Sequence, residues 1–201
     1  MGAVESKNVL IDRIAEEIRA CNRCPLGSGR LNTVPGSGSA SAEVLFIGEG
    51  PGAQEDKQGI PFVGAAGKFL DEMLSDIGKT RADVFVTNVV KCRPPENRDP
   101  EPEEANICTE TFLFRQIEAI NPLLIATLGR HAMWRFISAD KTITGAHGTL
   151  FHLVSSRTGK KFAVLPLYHP AAALYNGSLR AVLKEDFKKI PVFLAKIKKM
   201  A

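Results

Sequence analysis

The chain has 201 residues, 44% of them hydrophobic and 24% charged, enough apolar material for a core and too much for a disordered chain. Its longest apolar runs, such as 44–47 and 123–128, fall far short of the roughly 20 residues that cross a bilayer, and residues 1–18 carry Glu5, Asp12, Glu16 and Glu17 instead of the apolar block of a secretory signal. A single cytoplasmic domain over 1–201 with no membrane partner is expected, and the net charge of +4 permits an anionic partner without requiring one.

Ile11, Ile14 and Ile18 recur at helical spacing, so 7–20 is predicted to be an amphipathic helix running into Cys21. Residues 25–42 are rich in Gly, Ser and Pro and read as a loop. The apolar run 44–48, closed by Gly48, reads as a buried parallel strand. An irregular stretch is expected over 49–63, then a helix through Phe69, Leu70, Met73, Leu74 and Ile77 that Gly78 stops. A strand is predicted at 84–90. Pro94, Pro95, Pro100 and Pro102 interrupt regular structure after it, and Asp99-Pro100 is read as the start of a helix over 103–120. Strands follow at 123–128, 149–154 and 161–168, with a short helix near 130–138. Ser178 is expected to cap a last helix that Pro191 kinks or restarts.

Strands alternating with helices predict an α/β fold, a parallel sheet covered on both faces. In such sheets the ligand crevice lies beyond the carboxyl ends of the strands. Segments 48–56, 87–92 and 168–174 fall at such ends.

Gly48, Gly50 and Ala53 match a dinucleotide fingerprint in form. That reading needs a helix to open at once, whereas Pro51, Gly59 and Pro61 are expected to keep the chain irregular, and Glu49, Glu55 and Asp56 would repel a diphosphate. Carboxylates at a strand end suit work on water or on a developing positive charge. Phe62 is either a core anchor for its loop or a ring that stacks on a planar base. Asn88 is either a turn residue or an amide that reads a base edge. His169 is either a satisfied histidine before a proline turn or a donor to an oxygen that gains charge. The small residues Ala171 and Ala172 would let their loop press on a DNA strand, and Leu174 would wedge into the base stack.

Cys21 and Cys24 have the close spacing of two ligands to one metal centre, and using Cys92 and Cys108 with them is the economical reading. Spacing alone does not separate a zinc site from an iron–sulfur cluster. Lys184, Lys188, Lys189, Lys196, Lys198 and Lys199 crowd one end of the chain, as a solvated helix face or as a phosphate-facing surface.

Taken together and in order, these motifs resemble one family. GEGPGAQEDKQGIPFVGAAGKFLDEML, VTNVVKCRPPENRDP, HPAAAL and CNRCPL are similar to the motifs of family 4, or iron–sulfur, uracil-DNA glycosylases. The resemblance spans about residues 9–190. It implies a three-layer α/β/α sandwich with a central four-stranded parallel sheet. It implies that uracil is released from single- or double-stranded DNA by a monomer with a [4Fe–4S] cluster on Cys21, Cys24, Cys92 and Cys108, which joins the N-terminal helix to the 92–108 loop. Phe62 would then stack on the flipped base, Asn88 would read its edge and His169 would bond its O2. Glu49 and Glu55 would sit in the catalytic loop, with Glu55 also the candidate for excluding thymine. Gly50 stands where family 1 glycosylases keep an aspartate. Two points of comparison are specific to this chain. The stretch CRPPENRDPEPEEANIC lacks the inserted basic loop with which some relatives trap the sugar, so turnover is expected. Tyr175-Asn176-Gly177 replaces the family's Arg-Asn-Pro, whose Arg implies a phosphate or minor-groove contact; here either Tyr175 would stack or Arg180 would substitute. A DNA-binding protein without turnover is the alternative on the same fold.

Overall fold

The computed structural model describes residues 5–200. Helix α1 (Lys7–Arg19) starts where the Ser6 side chain accepts the Val9 N–H, and it buries Ile11, Ile14 and Ile18. A short α2 (Leu26–Gly29) follows. A six-stranded sheet has the order β1-β3-β2-β4-β6-β5. Its four inner strands, β3 (Phe85–Asn88), β2 (Val44–Gly48), β4 (Leu124–Leu128) and β6 (Lys161–Leu167), are parallel. The expected four-stranded parallel sheet is therefore the centre of a wider one. The edges β1 (Ser37–Gly38) and β5 (Phe151–Val154) run antiparallel to their neighbours. A two-residue strand has no apolar period to read; Gly38 permits it, because a Cβ there would lie 2.0 Å from the Val84 carbonyl oxygen.

The inner strands are buried on both faces, which explains their continuous apolar runs. On β2, Leu45 and Ile47 join one core with Ile11, Ile14, Ile18, Phe112 and Leu113. Val44 and Phe46 face the other core, with Phe69, Leu70, Met73 and Phe187. The first core is covered by α1, α5 (Pro102–Cys108), a π turn over Thr109–Leu113 and α6 (Phe114–Ile120); the second by α4 (Ala65–Asp76) and α10 (Ser178–Met200). This is the expected three-layer sandwich. No described helix is long and apolar enough to cross a membrane.

Four features differ from expectation. The stretch 49–63 holds a helix, α3 (Ala53–Gln58), which Gly52 begins in extended conformation and Gly59 ends at φ 70°. Its six residues carry no apolar period; Asp56 anchors it instead, accepting the Leu31 N–H at 3.0 Å and the Asn32 N–H at 3.3 Å. The strand predicted over 84–90 stops at Asn88, because Val89 and Val90 bend over to donate to the Gly48 and Glu49 carbonyls at 2.9 and 3.1 Å. The helix after the prolines is capped by Glu101, not Asp99, with a reciprocal bond to Glu104 and Pro102 in its first turn. The last helix runs through Pro191 without restarting.

Candidate active site

The carboxyl ends of the parallel strands open into a cavity of ≈ 330 Å³. Glu49, Gly50, Glu55, Phe62, Asn88, His169 and Ala171, all singled out in the sequence, line it. Pro94, Asn97, Arg98 and Ala66 line it too and were not foreseen.

Asn88 forms its back wall. It is 1% exposed, and its Oδ1 is buried without any hydrogen-bond partner. A buried unpaired acceptor costs about 1–3 kcal/mol, so this atom is held ready for a donor. Gly48, its register partner on β2, makes room for it: a Cβ at Gly48 would lie 2.4 Å from Asn88 Oδ1 and 2.7 Å from Phe62 Cζ.

Phe62 is buried and sits at φ 55°, left-handed backbone that disfavours any side chain. Its surroundings over-determine that conformation. Its carbonyl accepts Arg81 Nη2 at 2.9 Å and lies so close to Gly67 that a Cβ there would approach to 1.7 Å. Glu55 Oε1 accepts the next two backbone N–H groups, Val63 and Gly64, at 2.9 Å each. Gly64 is the N-cap of α4, so the Glu55 carboxylate also suits the positive end of that helix. The presence of α3 removes one argument against a dinucleotide site, since a helix does open after the glycines. The glycines are used otherwise, though: Gly48 by Asn88 and Phe62, and Gly52 by the Glu55 carboxylate, which a Cβ would meet at 2.8 Å.

His169 stacks near Phe62, with ring centroids 5.6 Å apart and an interplanar angle of 26°. It is part-buried and lines the cavity. Burial pushes its pKa down to about 4, against the opposing charge of Glu55. Its Nδ1 lies 3.1 Å from the Ala171 N–H and accepts from it. The neutral ring therefore carries its proton on Nε2.

Glu49 is half-buried, and burial raises its carboxyl above the usual range, with His131 and Arg130 opposing and Asp99 adding to the rise. His131 Nε2 lies 3.0 Å from Asp99 Oδ2 and 3.9 Å from Glu49 Oε2. Arg98 is held at the rim by Glu104, through bonds of 2.9 and 2.8 Å. His131 follows Gly129, directly after β4; the same strand-end rule that singled out Asn88 and His169 applies to it and was the available signal.

Directly after Ala171, α9 (Ala172–Tyr175) exposes Leu174 by 45% and Tyr175 by 92%. Arg180 pairs with the Glu72 carboxylate and lies over the Phe69 ring, 4.1 Å from its centroid. Lys184, Lys188, Lys189 and Lys198 are each paired with a carboxylate on this molecule, which favours the solvated-face reading of that lysine run.

Cys21, Cys24, Cys92 and Cys108 line a second, separate cavity with Lys91 and Arg30, and Arg30 Nη1 lies 3.4 Å from Cys92 Sγ. Burial raises the Cys92 thiol and pushes Cys108 up to about 11, Arg30 and Lys91 respectively opposing. Four thiolates on one zinc ion sit about 3.8 Å apart, given bonds of about 2.3 Å. No three of these sulfurs fall within 4.8 Å of one another, so the donor set fits a larger polynuclear group better than a single ion.

The sequence profile of the Uracil DNA glycosylase superfamily matches residues 35–192. A type-4 uracil-DNA glycosylase of Sulfurisphaera tokodaii is 48% identical over 90% of this chain and 83% of its own length. One from Archaeoglobus fulgidus is 48% identical over 90% and 91%, and one from Thermotoga maritima 43% identical over 95% and 98%. The chain belongs to the uracil-DNA glycosylase superfamily and, within it, to the type-4 uracil-DNA glycosylases.

Proposed function

We propose that this chain hydrolyses the N-glycosidic bond of deoxyuridine in DNA, releasing uracil and leaving an abasic site, with the cavity at the strand ends as its uracil pocket. The single observation that carries the assignment of the pocket is the unpaired, buried Oδ1 of Asn88, a residue that lines the same cavity as a histidine whose tautomer leaves Nε2–H as a donor. Uracil offers the complement, an N3–H donor flanked by the carbonyl acceptors O2 and O4. Cytosine has an acceptor at N3, and it would leave Asn88 Oδ1 without a partner.

The base must leave the duplex to reach this pocket, at a cost of a few kcal/mol. Exposed Leu174 fills the gap it leaves, while Ala171 and Ala172 let their loop approach the strand. Phe62 stacks on the everted ring. Cleavage of N1–C1′ puts negative charge on uracil and positive charge on the sugar. The neutral His169 donates from Nε2 to O2 as that charge develops, with no proton transfer needed. Of the two glutamates, Glu55 is committed to Val63 and Gly64 and acts by fixing the Phe62 loop. Glu49 is the carboxylate free to position water and offset the sugar charge. Gly50 keeps the wall beside it open, since a Cβ there would meet Val90 Cγ2 at 2.8 Å. Arg180, already paired with Glu72, would have to exchange that partner to touch a phosphate.

Cys21, Cys24, Cys92 and Cys108 hold a [4Fe–4S] cluster. When bound it supplies iron–thiolate bonds that cross-link the end of α1 to the 92–108 segment, making 1–201 one domain; no step of base release runs through it. The protein acts on DNA as a monomer in the cytoplasm. Alkali treatment of a uracil-containing oligonucleotide after incubation with the protein tests the assignment: strand breaks at uracil are expected, and a stable complex without free uracil would make it a binding protein instead.

A further inference from the structure

Lys91 is the one lysine among the fully buried side chains of the described residues, at 1% exposure. It lies between the two cavities, next in sequence to Cys92 and three residues from Asn88. Its Nζ donates to the Asn88 carbonyl and to Thr87 Oγ1, both at 2.6 Å. Its carbonyl accepts the Val34 N–H at 2.8 Å. Thr87 passes the chain of bonds on to the Pro35 carbonyl at 2.9 Å, where Gln116 Nε2 also donates at 2.8 Å.

A buried ammonium needs a counter-charge. Both acceptors of the Lys91 Nζ are neutral, and Lys91 lines the same cavity as Cys21, Cys24, Cys92 and Cys108. Ligating cysteines are thiolates. The anionic thiolate site is thus the counterion of Lys91, and Lys91 in turn grips the backbone of the residue whose side chain faces uracil.

We propose that Lys91 is a positioning residue that couples the four-cysteine site to the base pocket: the thiolates hold its ammonium in place, and the ammonium fixes Asn88. Asn88 continues β3 only to its last residue before the chain bends, so its carbonyl has no further strand to hold it on that side. The Nζ bond supplies the restraint, and the Oδ1 atom inherits its direction from it. This inference rests on the uracil-pocket reading and adds a link from the cluster to that pocket.

The test uses the iron-loaded enzyme and its Lys91→Met variant, compared at equal iron content. Two quantities are read: the inhibition constant of free uracil, which reports the Asn88 pocket, and the reduction potential of the bound cluster. Removing the positive charge makes an added electron on the cluster less favourable, so the potential of Lys91→Met is expected to fall. Loss of the restraint on Asn88 is expected to raise the uracil constant about tenfold. A wild-type value for either quantity overturns the coupling. If Lys91→Met does not fold with iron, Thr87→Val is read in its place: it keeps the charge and removes one acceptor. It should then weaken uracil about fivefold at an unchanged potential, and unchanged uracil inhibition overturns the proposal. Failure of the wild-type enzyme to release uracil from DNA would sink the functional reading itself, a result distinct from either of these.

Discussion

Gly48 and Asn88 are register partners on adjacent parallel strands, and the absent Cβ of the one is the space occupied by the amide oxygen of the other. Gly48 needs no unusual backbone to do this, so alanine is locally acceptable there; the crowding falls on Asn88 Oδ1 and on the Phe62 ring. Gly48→Ala should lower single-turnover uracil release by about a hundredfold through misplacement of both groups, with DNA affinity largely kept. In the double variant with Asn88→Ala the two losses should fall short of adding, because both act on the same contact. Additive losses would show that Gly48 matters for another reason.

Removing the reading groups themselves should separate binding from chemistry. Asn88→Ala and His169→Ala are each expected to lower the rate of base release by roughly ten- to a thousandfold. DNA binding, measured by anisotropy, should survive in both. Unchanged rates in both would take these residues out of the site.

Acid should act through Glu49 before His169. Burial raises the Glu49 carboxyl above its ordinary 4.5, so base release should fall on acidification with a midpoint above that value, and Glu49→Gln should be slower but flat across the same range. His169 stays neutral down to about 4. For stability the signs oppose. The unfolded chain protonates His169 first, so its contribution is complete above pH 6.5 and is lost as pH falls through 6.5 toward 4, by up to about 1.4 kcal/mol per pH unit. Glu49 binds its proton more tightly when folded and works the other way over its own window. Urea unfolding of wild type against His169→Gln across pH 4–7 isolates the histidine term; parallel curves would contradict it.

Glu55 should behave as a clamp. Glu55→Ala leaves the Val63 and Gly64 N–H groups without their acceptor, a loss of about 1–3 kcal/mol, and frees the Phe62 loop. KM should rise more than kcat falls. Glu55→Gln keeps an acceptor oxygen and should stay near wild type in urea unfolding and in rate. A large kcat loss in Glu55→Gln with unchanged stability would return it to the chemistry.

Much of the architecture was legible because the inner strands are buried on both faces, and continuous apolar runs such as Val44–Gly48 mark them plainly. Asn88 and His169 were legible because each lies at or just past a strand end, and Phe62 because it closes the loop that follows β2. What escaped had no period to betray it. Helix α3 is held by Asp56 through bonds to Leu31 and Asn32, and β1 is two residues long. The proposed division of labour between Glu49 and Glu55 rests on hydrogen-bond partners, which spacing does not encode. Nor did the lysine run disclose that most of its members are paired within the molecule, or Lys91 that it is buried.

In the proposed pocket Asn88, Phe62 and His169 enclose one everted uracil. Uracil release, measured by chromatography of the free base, should be compared for oligonucleotides carrying uracil opposite guanine, opposite adenine and unpaired, with cytosine and thymine as controls. Free uracil should appear from all three, no slower opposite guanine than opposite adenine, and neither control base should be released. Tight binding without free base, or release of cytosine at a comparable rate, would rule this pocket out.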